Sequence, residues 1–301
     1  MRVFVTGGTG YVGRNVLRAL LSAGHTPIAL VRRQSIAKLP VDLHGKIEIV
    51  NGNVNTSESY LTQLGSCEAV INLLGIIREF PGKGITFYDA HVRCTQSLLD
   101  ASKKAGTRRF LQMSALGVHG DACTGYQRTK FEAEQLLQTA GVDWTIFRPS
   151  LIVRHEEAGC ENFITMLRSL LTMLPFVVPV LGSGDYRFQP VAVDDVAAGI
   201  VRALMTPASV GKIYDVAGSE RFSFNELLDI VGAGLGIKKL KIHQPLWSMK
   251  IMAALLGGFS FFPISHDQII MLEEESVTDA WQPFFTDFNI APIPVRTVIG
   301  A

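Results

Sequence analysis

One short segment constrains this chain more than any other: Thr6-Gly7-Gly8-Thr9-Gly10-Tyr11-Val12-Gly13. It lies between an apolar, strand-like run at 2–6 and a stretch at 11–23 with helical periodicity, in which Val12, Val16, Leu20 and Leu21 share one side. Each glycine has a physical reason in that context. Gly7 permits a tight turn, Gly10 lets main-chain amides approach a pyrophosphate at the helix N-terminus, and Gly13 lets helix and strand pack closely. The spacing predicts a phosphate-cradling turn at the head of a βαβ unit, with Thr9, Tyr11 and Val12 beside the phosphates.

The remainder of the first half agrees with that start. Apolar runs at 27–31, 46–50, 69–74, 109–113 and 144–147 alternate with helical patterns at 87–104 and 126–140. Such alternation predicts an α/β fold, a Rossmann-type doubly wound parallel sheet with right-handed crossovers. After Pro149 the pattern changes to helices at 162–174, 194–205 and 223–235 and strands at 190–193 and 212–216. The helix at 223 opens with Ser223-Phe224-Asn225-Glu226, a capping box. The pattern divides the 301 residues into a dinucleotide-binding unit, 1–152, to which the chain returns at about 188–217, and a smaller, discontinuous α/β unit, 153–187 and 218–301.

Composition narrows the function. Lys+Arg total 28 and Asp+Glu 27, a net charge of +1, which argues against nucleic acid as the main partner. With 48% hydrophobic and 18% charged residues, the bulk of the chain folds. Mean hydropathy is high at +0.25. Yet Arg168, Pro175 and Pro179 interrupt the apolar run 163–181, and Lys250 and Pro263 interrupt 246–264, so no transmembrane helix is expected. These runs supply either buried core of the smaller unit or an apolar surface for a membrane, a lipid-like substrate or a protein partner. Cys67, Cys94, Cys123 and Cys160 are scattered, which predicts neither a metal site nor a disulfide framework. A strand at once, with no basic-then-apolar leader, leads us to expect a cytoplasmic protein, free or peripheral to a membrane.

The end of the second strand speaks to cofactor choice. A site for NAD(H) usually places an acid there for the ribose 2′-hydroxyl. This chain has Val31-Arg32-Arg33, two guanidiniums suited to a 2′-phosphate, so NADP(H) is preferred over NAD(H). Asn53 ends the third strand region, either bonding the adenine edge with Val54 beneath the ring or forming a turn after Gly52. Leu73, Leu74 and Gly75 close the fourth strand, and Gly75 allows a close approach to the cofactor.

Tyr126-Gln127-Arg128-Thr129-Lys130 sets Tyr126 and Lys130 four apart on one helix face. An ammonium beside a phenol lowers its pKa, which predicts proton exchange by Tyr126 near neutral pH. Lys130 can also hold ribose hydroxyls, and Ser114, ending the fifth strand, can orient a carbonyl. His119 reads as an ordinary loop histidine, His25 as a helix-end residue, and Asp194 and Asp195 as acids at a helix start. Arg187 and Gln189 precede the returning strand and read either as contacts to a substrate or partner or as hydrogen bonds between the two units.

Taken together these residues resemble the extended and atypical short-chain dehydrogenase/reductase superfamily, over essentially the whole chain. Residues 6–13 are similar to its TGxxGxxG loop and Tyr126 to Lys130 to its YxxxK. Phe147-Arg148-Pro149-Ser150 is similar to its "RP" strand end, which implies Pro149 beside the nicotinamide, and Val191-Ala192-Val193-Asp194-Asp195-Val196 to its "vhvdDva" segment. The subgroup that holds the dehydrogenase-like accessory subunit of respiratory complex I and its bacterial relatives is the most similar. That likeness is carried by Ser114-Ala115-Leu116-Gly117, Phe188-Gln189-Pro190-Val191 and Pro263-Ile264-Ser265-His266-Asp267-Gln268. It implies NADP(H), often held tightly, with catalysis secondary to assembly. Three positions depart from the superfamily. Ala115 replaces a Ser or Thr, so the hydroxyl is missing unless Ser114 or Thr124 substitutes. Asn53 replaces an Asp and His91 a helix Asn. Two functions fit these residues. One is a cofactor-holding protein whose small unit docks a protein partner or membrane. The other is an active reductase or epimerase acting through Tyr126, Lys130 and Ser114 on a carbonyl, a quinone or a sugar nucleotide.

Overall fold

The computed structural model describes residues 1–154, 163–247 and 266–299. Cys160, most of the apolar run 246–264, and Pro263, Ile264 and Ser265 lie outside the described residues. In the first half, β1 (Arg2–Thr6), α1 (Tyr11–Ser22), β2 (Thr26–Val31), β3 (Glu48–Asn51), α2 (Leu61–Gly65), β4 (Ala69–Asn72), α3 (Cys94–Ala105), β5 (Arg109–Met113), α4 (Gly125–Gln138) and β6 (Asp143–Pro149) follow in order. Then come β7 (Ile152–Val153), α5 (Phe163–Met173), β8 (Val177–Leu181), β9 (Arg187–Phe188), β10 (Val191–Ala192), α6 (Val193–Ala203), β11 (Lys212–Val216), β12 (Phe222–Ser223), α7 (Phe224–Gly234) and β13 (Leu240–Gln244).

Seven parallel strands form the main sheet in the order β11-β6-β5-β4-β1-β2-β3. The order reverses between β1 and β4, where a doubly wound sheet opens a crevice at its carboxyl edge. Alternation along each strand divides the core into two layers. Val3, Val5, Ala29 and Val31 pack with α1 and α6 on one face. Phe4, Ile28, Leu30, Val70 and Phe110 pack with Tyr60, Leu64, Leu98 and Leu99 on the other. Both faces are thus dry, as a parallel sheet requires.

A third apolar cluster joins Val153, Leu167, Val178, Phe188, Phe224, Leu227 and Ile299. The capping box at α7 is present in full, with Ser223 Oγ accepting from Glu226 N at 3.2 Å and Glu226 Oε2 accepting from Ser223 N at 2.7 Å. One boundary differs from expectation. The sequence pattern puts 218–301 wholly in the smaller unit, but Phe284, Phe285 and Phe288 pack into the main-sheet core beside Phe147 and Tyr214. Gly199 makes room for them, since a Cβ there would fall 2.2 Å from the Phe284 ring.

Candidate active site

The glycine turn is set by main-chain packing. Gly7 has φ +74°, and a side chain there would meet Leu73 O at 2.7 Å. At Gly13 a Cβ would lie 2.2 Å from Gly7 O. Gly10 N donates to Gly7 O at 3.0 Å, and Gly10 caps α1 with no side chain of its own. The first-turn amides of α1 therefore face outward at the carboxyl edge of β1, an arrangement that favours an anion. Arg14, to which the motif spacing assigns no role, ties this turn down: its Nε donates to Thr9 O at 3.1 Å and its Nη2 to Lys38 O at 2.7 Å. An arginine directly after the last glycine is the only signal of it in the sequence.

Arg32 and Arg33 are exposed at the end of β2, and among the described residues neither forms an ion pair with a carboxylate. Arg32 also reaches electrostatically across to Cys94 at the start of α3, where burial nonetheless pushes the thiol up to about 11. Asn53 takes the turn-forming alternative, its Oδ1 accepting from Asn55 N at 3.1 Å. Val54 packs its side chain into the core, and its carbonyl accepts from Tyr60 Oη at 2.8 Å.

Below the crevice lies a buried polar chain that the sequence did not reveal. Thr6 Oγ1 donates to Asn72 Oδ1 at 2.6 Å, and Asn72 Nδ2 donates to Gln112 Oε1 at 2.8 Å and to Thr95 Oγ1 at 3.3 Å. Asn72 Oδ1 accepts from Leu74 N as well, which fixes the turn before Gly75.

Lys130 reaches the ends of β4 and β5, where Ser114 follows Met113, and Tyr126 stands one helical turn before Lys130 on α4. Lys130 Nζ donates to Met113 O at 3.1 Å and Leu74 O at 3.4 Å, and a Cβ on Gly75 would lie 2.8 Å from it. Gly75 therefore makes room for the lysine. Burial lowers Lys130 to about 8 and raises the Tyr126 phenol to about 12. The expectation that Lys130 would bring the phenol near neutrality fails in this structure, because burial alone acts on the phenol and raises it. The Ser114 hydroxyl is buried, and among the described residues it has no hydrogen-bond partner. Thr124 is no substitute for the hydroxyl missing at Ala115, because its Oγ1 caps α4 and donates to Gln127 Oε1 at 2.5 Å.

His91 stands behind this group on a π-helical turn, Tyr88–Arg93, that runs directly into α3. Its Nε2 lies 3.2 Å from both Ile76 N and Ile76 O, and its Nδ1 lies 2.9 Å from Thr129 Oγ1. The ring packs edge-on to Tyr126 with centroids 5.4 Å apart and stacks on Phe87 at 5.6 Å. Burial and the Lys130 charge lower His91 to about 3, so it stays neutral. Beneath Lys130, the fully buried Glu134 holds Arg148 through two bonds of 2.5 and 2.9 Å.

Helix His266–Glu273 closes the far side: Asp267 Oδ2 accepts from Tyr126 N at 3.4 Å, and the following Glu274 accepts from Gln127 Nε2 at 2.6 Å. Arg187 pairs with Glu275 at 3.3 Å, while Gln189 bonds Gly218 O, Arg221 and Thr278 N. Both therefore make contacts within the chain. His25 meets the chain's amino terminus, and Asp195 accepts from Ile293 N, structural roles in each case.

A family model described as NAD(P)H-binding matches residues 7–167. The chain belongs to that family. Its curated relatives include the NADH dehydrogenase [ubiquinone] 1 alpha subcomplex subunit 9 of Arabidopsis thaliana, 29% identical over 279 residues, covering 90% of this chain and 67% of that one. A ceramide reductase of Caulobacter vibrioides is 27% identical over 259 residues, covering 86% and 78%. Among solved structures, the UDP-glucose 4-epimerase of Thermotoga maritima aligns over 100% of this chain and 96% of its own, with a TM-score of 0.76 and 16% identity. The fold is thus that of the epimerase/dehydratase-like short-chain dehydrogenases, with complex I subunits and reductases among the homologues.

Proposed function

We propose that this chain holds NADP(H) as a structural or weakly redox-active group and uses its smaller unit, 153–187 and 218–301, to dock onto a membrane surface or protein partner. Two exposed arginines at the end of the second strand, with no carboxylate partner among the described residues, carry the cofactor choice. The residues present fit the dinucleotide. The amides of Tyr11, Val12 and Gly13, with Thr9 and Gly10, would take the pyrophosphate, and Arg32 and Arg33 the 2′-phosphate. Asn53 would border the adenine, Leu73, Leu74 and Gly75 the inner wall, and Pro149 the nicotinamide. When bound, the dinucleotide supplies a hydride donor or acceptor. Arg32→Ala is expected to weaken NADPH binding about tenfold or more and NADH binding far less, measured by cofactor fluorescence. Equal losses for the two would end the assignment.

The weak redox role is supported by the proton-handling groups: a phenol at about 12, a lysine bonded to two carbonyls, and no hydroxyl at Ala115. The docking role is supported by exposed apolar side chains, with Phe176 81%, Leu240 70% and Trp247 68% exposed. Among the described residues no helix is long and apolar enough to cross a membrane, so attachment would be peripheral, from a cytoplasmic location. Vesicle co-sedimentation lost in Phe176→Asp would support a lipid surface; sedimentation unchanged by it would remove that face from the reading.

The Ser114 hydroxyl, without a hydrogen-bond partner among the described residues, favours a second reading, an active reductase. Here Ser114 orients a substrate oxygen, Tyr126 supplies its proton, and Lys130 holds the ribose and replenishes that proton.

A further inference from the structure

We infer that the substrate side of this site takes an uncharged, apolar carbonyl compound and turns away nucleotide-diphosphate sugars. The inference rests on the reading in which Ser114, Tyr126 and Lys130 act on a substrate. Three observations point the same way.

The first is the wall around the phenol. Tyr126 sits in a buried cluster with Phe87, Ala115 and Val118, against which Ile76, Phe131 and Met271 pack. Ile77, the next residue in the chain after Ile76, is 63% exposed, and Tyr88, beside Phe87, is 49% exposed. Exposed apolar side chains thus follow members of the wall in the chain, and an apolar ligand gains by covering such surface.

The second is charge. Carboxylates stand at the start of α4: Asp267 on Tyr126 N and Glu274 on Gln127. A diphosphate brought to that rim meets like charge, which costs affinity. The third is that several cations of the smaller unit are already paired with carboxylates. Arg187 is paired with Glu275, Arg221 with Asp279, Arg296 with Glu220 and Lys241 with Asp229. Recruiting one of these cations to a phosphate would strip it from its carboxylate. The solved epimerase of the same fold holds UDP-glucose, so the difference lies in side chains and not in architecture.

The polar demand of a ketone is one acceptor oxygen, and the site offers the buried Ser114 hydroxyl, which has no hydrogen-bond partner among the described residues. When bound, the reduced nicotinamide would supply a hydride to the carbonyl carbon of a ketone. The carbonyl π pair goes to oxygen, which takes the Tyr126 proton. The products are an alcohol and the oxidised dinucleotide, and a solvent proton restores the phenol through Lys130.

The test uses the full chain loaded with NADPH, titrated separately with undecanone, decylbenzoquinone and UDP-glucose. Nicotinamide fluorescence reports binding and loss of absorbance reports turnover. An undecanone or decylbenzoquinone complex at least about tenfold tighter than that with UDP-glucose is expected. Tyr126→Phe should keep NADPH and ketone binding and lose turnover. Ile77→Asp, at an exposed position, should weaken the apolar ligands about fivefold while leaving NADPH bound. If NADPH itself does not bind, the proposed function falls and this inference with it. If NADPH binds and UDP-glucose competes as tightly as the apolar carbonyls, or no apolar carbonyl perturbs the nicotinamide, this inference alone is overturned.

Discussion

The two sides of the crevice are built by different means. The nucleotide side is made of main chain: a glycine turn, the open first turn of α1, and strand ends fixed by Asn72. The opposite side is made of side chains drawn from distant segments, with Phe87, Ala115, Tyr126 and Met271 meeting only in the folded protein. A main-chain site tolerates almost no substitution and holds one kind of ligand. A side-chain site can change its ligand one residue at a time. The same scaffold can therefore keep its dinucleotide while the other side drifts among sugar nucleotides, ketones and no substrate at all.

The largest expected effect tests the rigid side. Gly13→Ala puts a methyl 2.2 Å from Gly7 O and 2.7 Å from Gly8 Cα, both main chain. It should cost more than about 3 kcal/mol in denaturant unfolding and abolish dinucleotide binding. A soluble, cofactor-binding Gly13→Ala protein would break the comparison. Glu134→Ala should cost about 3 kcal/mol by stranding Arg148 beneath Lys130, and a loss below about 1 kcal/mol would show that water compensates the guanidinium there.

Removing the α7 cap with Ser223→Ala should cost about 1 kcal/mol and leave NADPH affinity unchanged. It also carries a pH signature. The Ser223 amide depresses the Glu226 carboxyl below its ordinary 4.5. A depressed acid stabilises fully above its unfolded value, and that contribution fades as pH falls through the folded one. Ser223→Ala removes the hydroxyl's share of that depression and keeps the amide's, so the two stability profiles should draw closer as pH falls, and parallel profiles would leave the amide as the whole cause. The smallest effect is on the adaptable side. Ala115→Ser should shift stability by less than about 1 kcal/mol while raising NADPH-dependent reduction of an apolar ketone. A large destabilisation there would mean that the substrate wall is as rigid as the glycine turn.

This difference also explains what could be read from sequence. The parallel sheet and the glycine turn were legible because they answer to main-chain rules, in which spacing is geometry. The roles of Tyr126 and Lys130 were legible as a juxtaposition but not as an electrostatic state, because a spacing of four does not report burial. Asn72, Gln112 and Thr95 look like ordinary polar residues, since their bonds span up to 66 positions. Phe284 and Phe288 gave no sign of leaving the smaller unit, because an apolar pattern does not name the surface it meets.

The widened helical turn at 88–93 sets a phase. Each residue advances a regular helix by roughly 100°, so a single deletion within that turn would rewind it and swing the imidazole of His91 around the helix axis. The glycine cradle, far from it along the chain, would keep its shape. Such a protein would hold its nucleotide and lose the neutral ring behind Lys130, parting the two halves of the crevice by a change of winding and without replacing one side chain at the site.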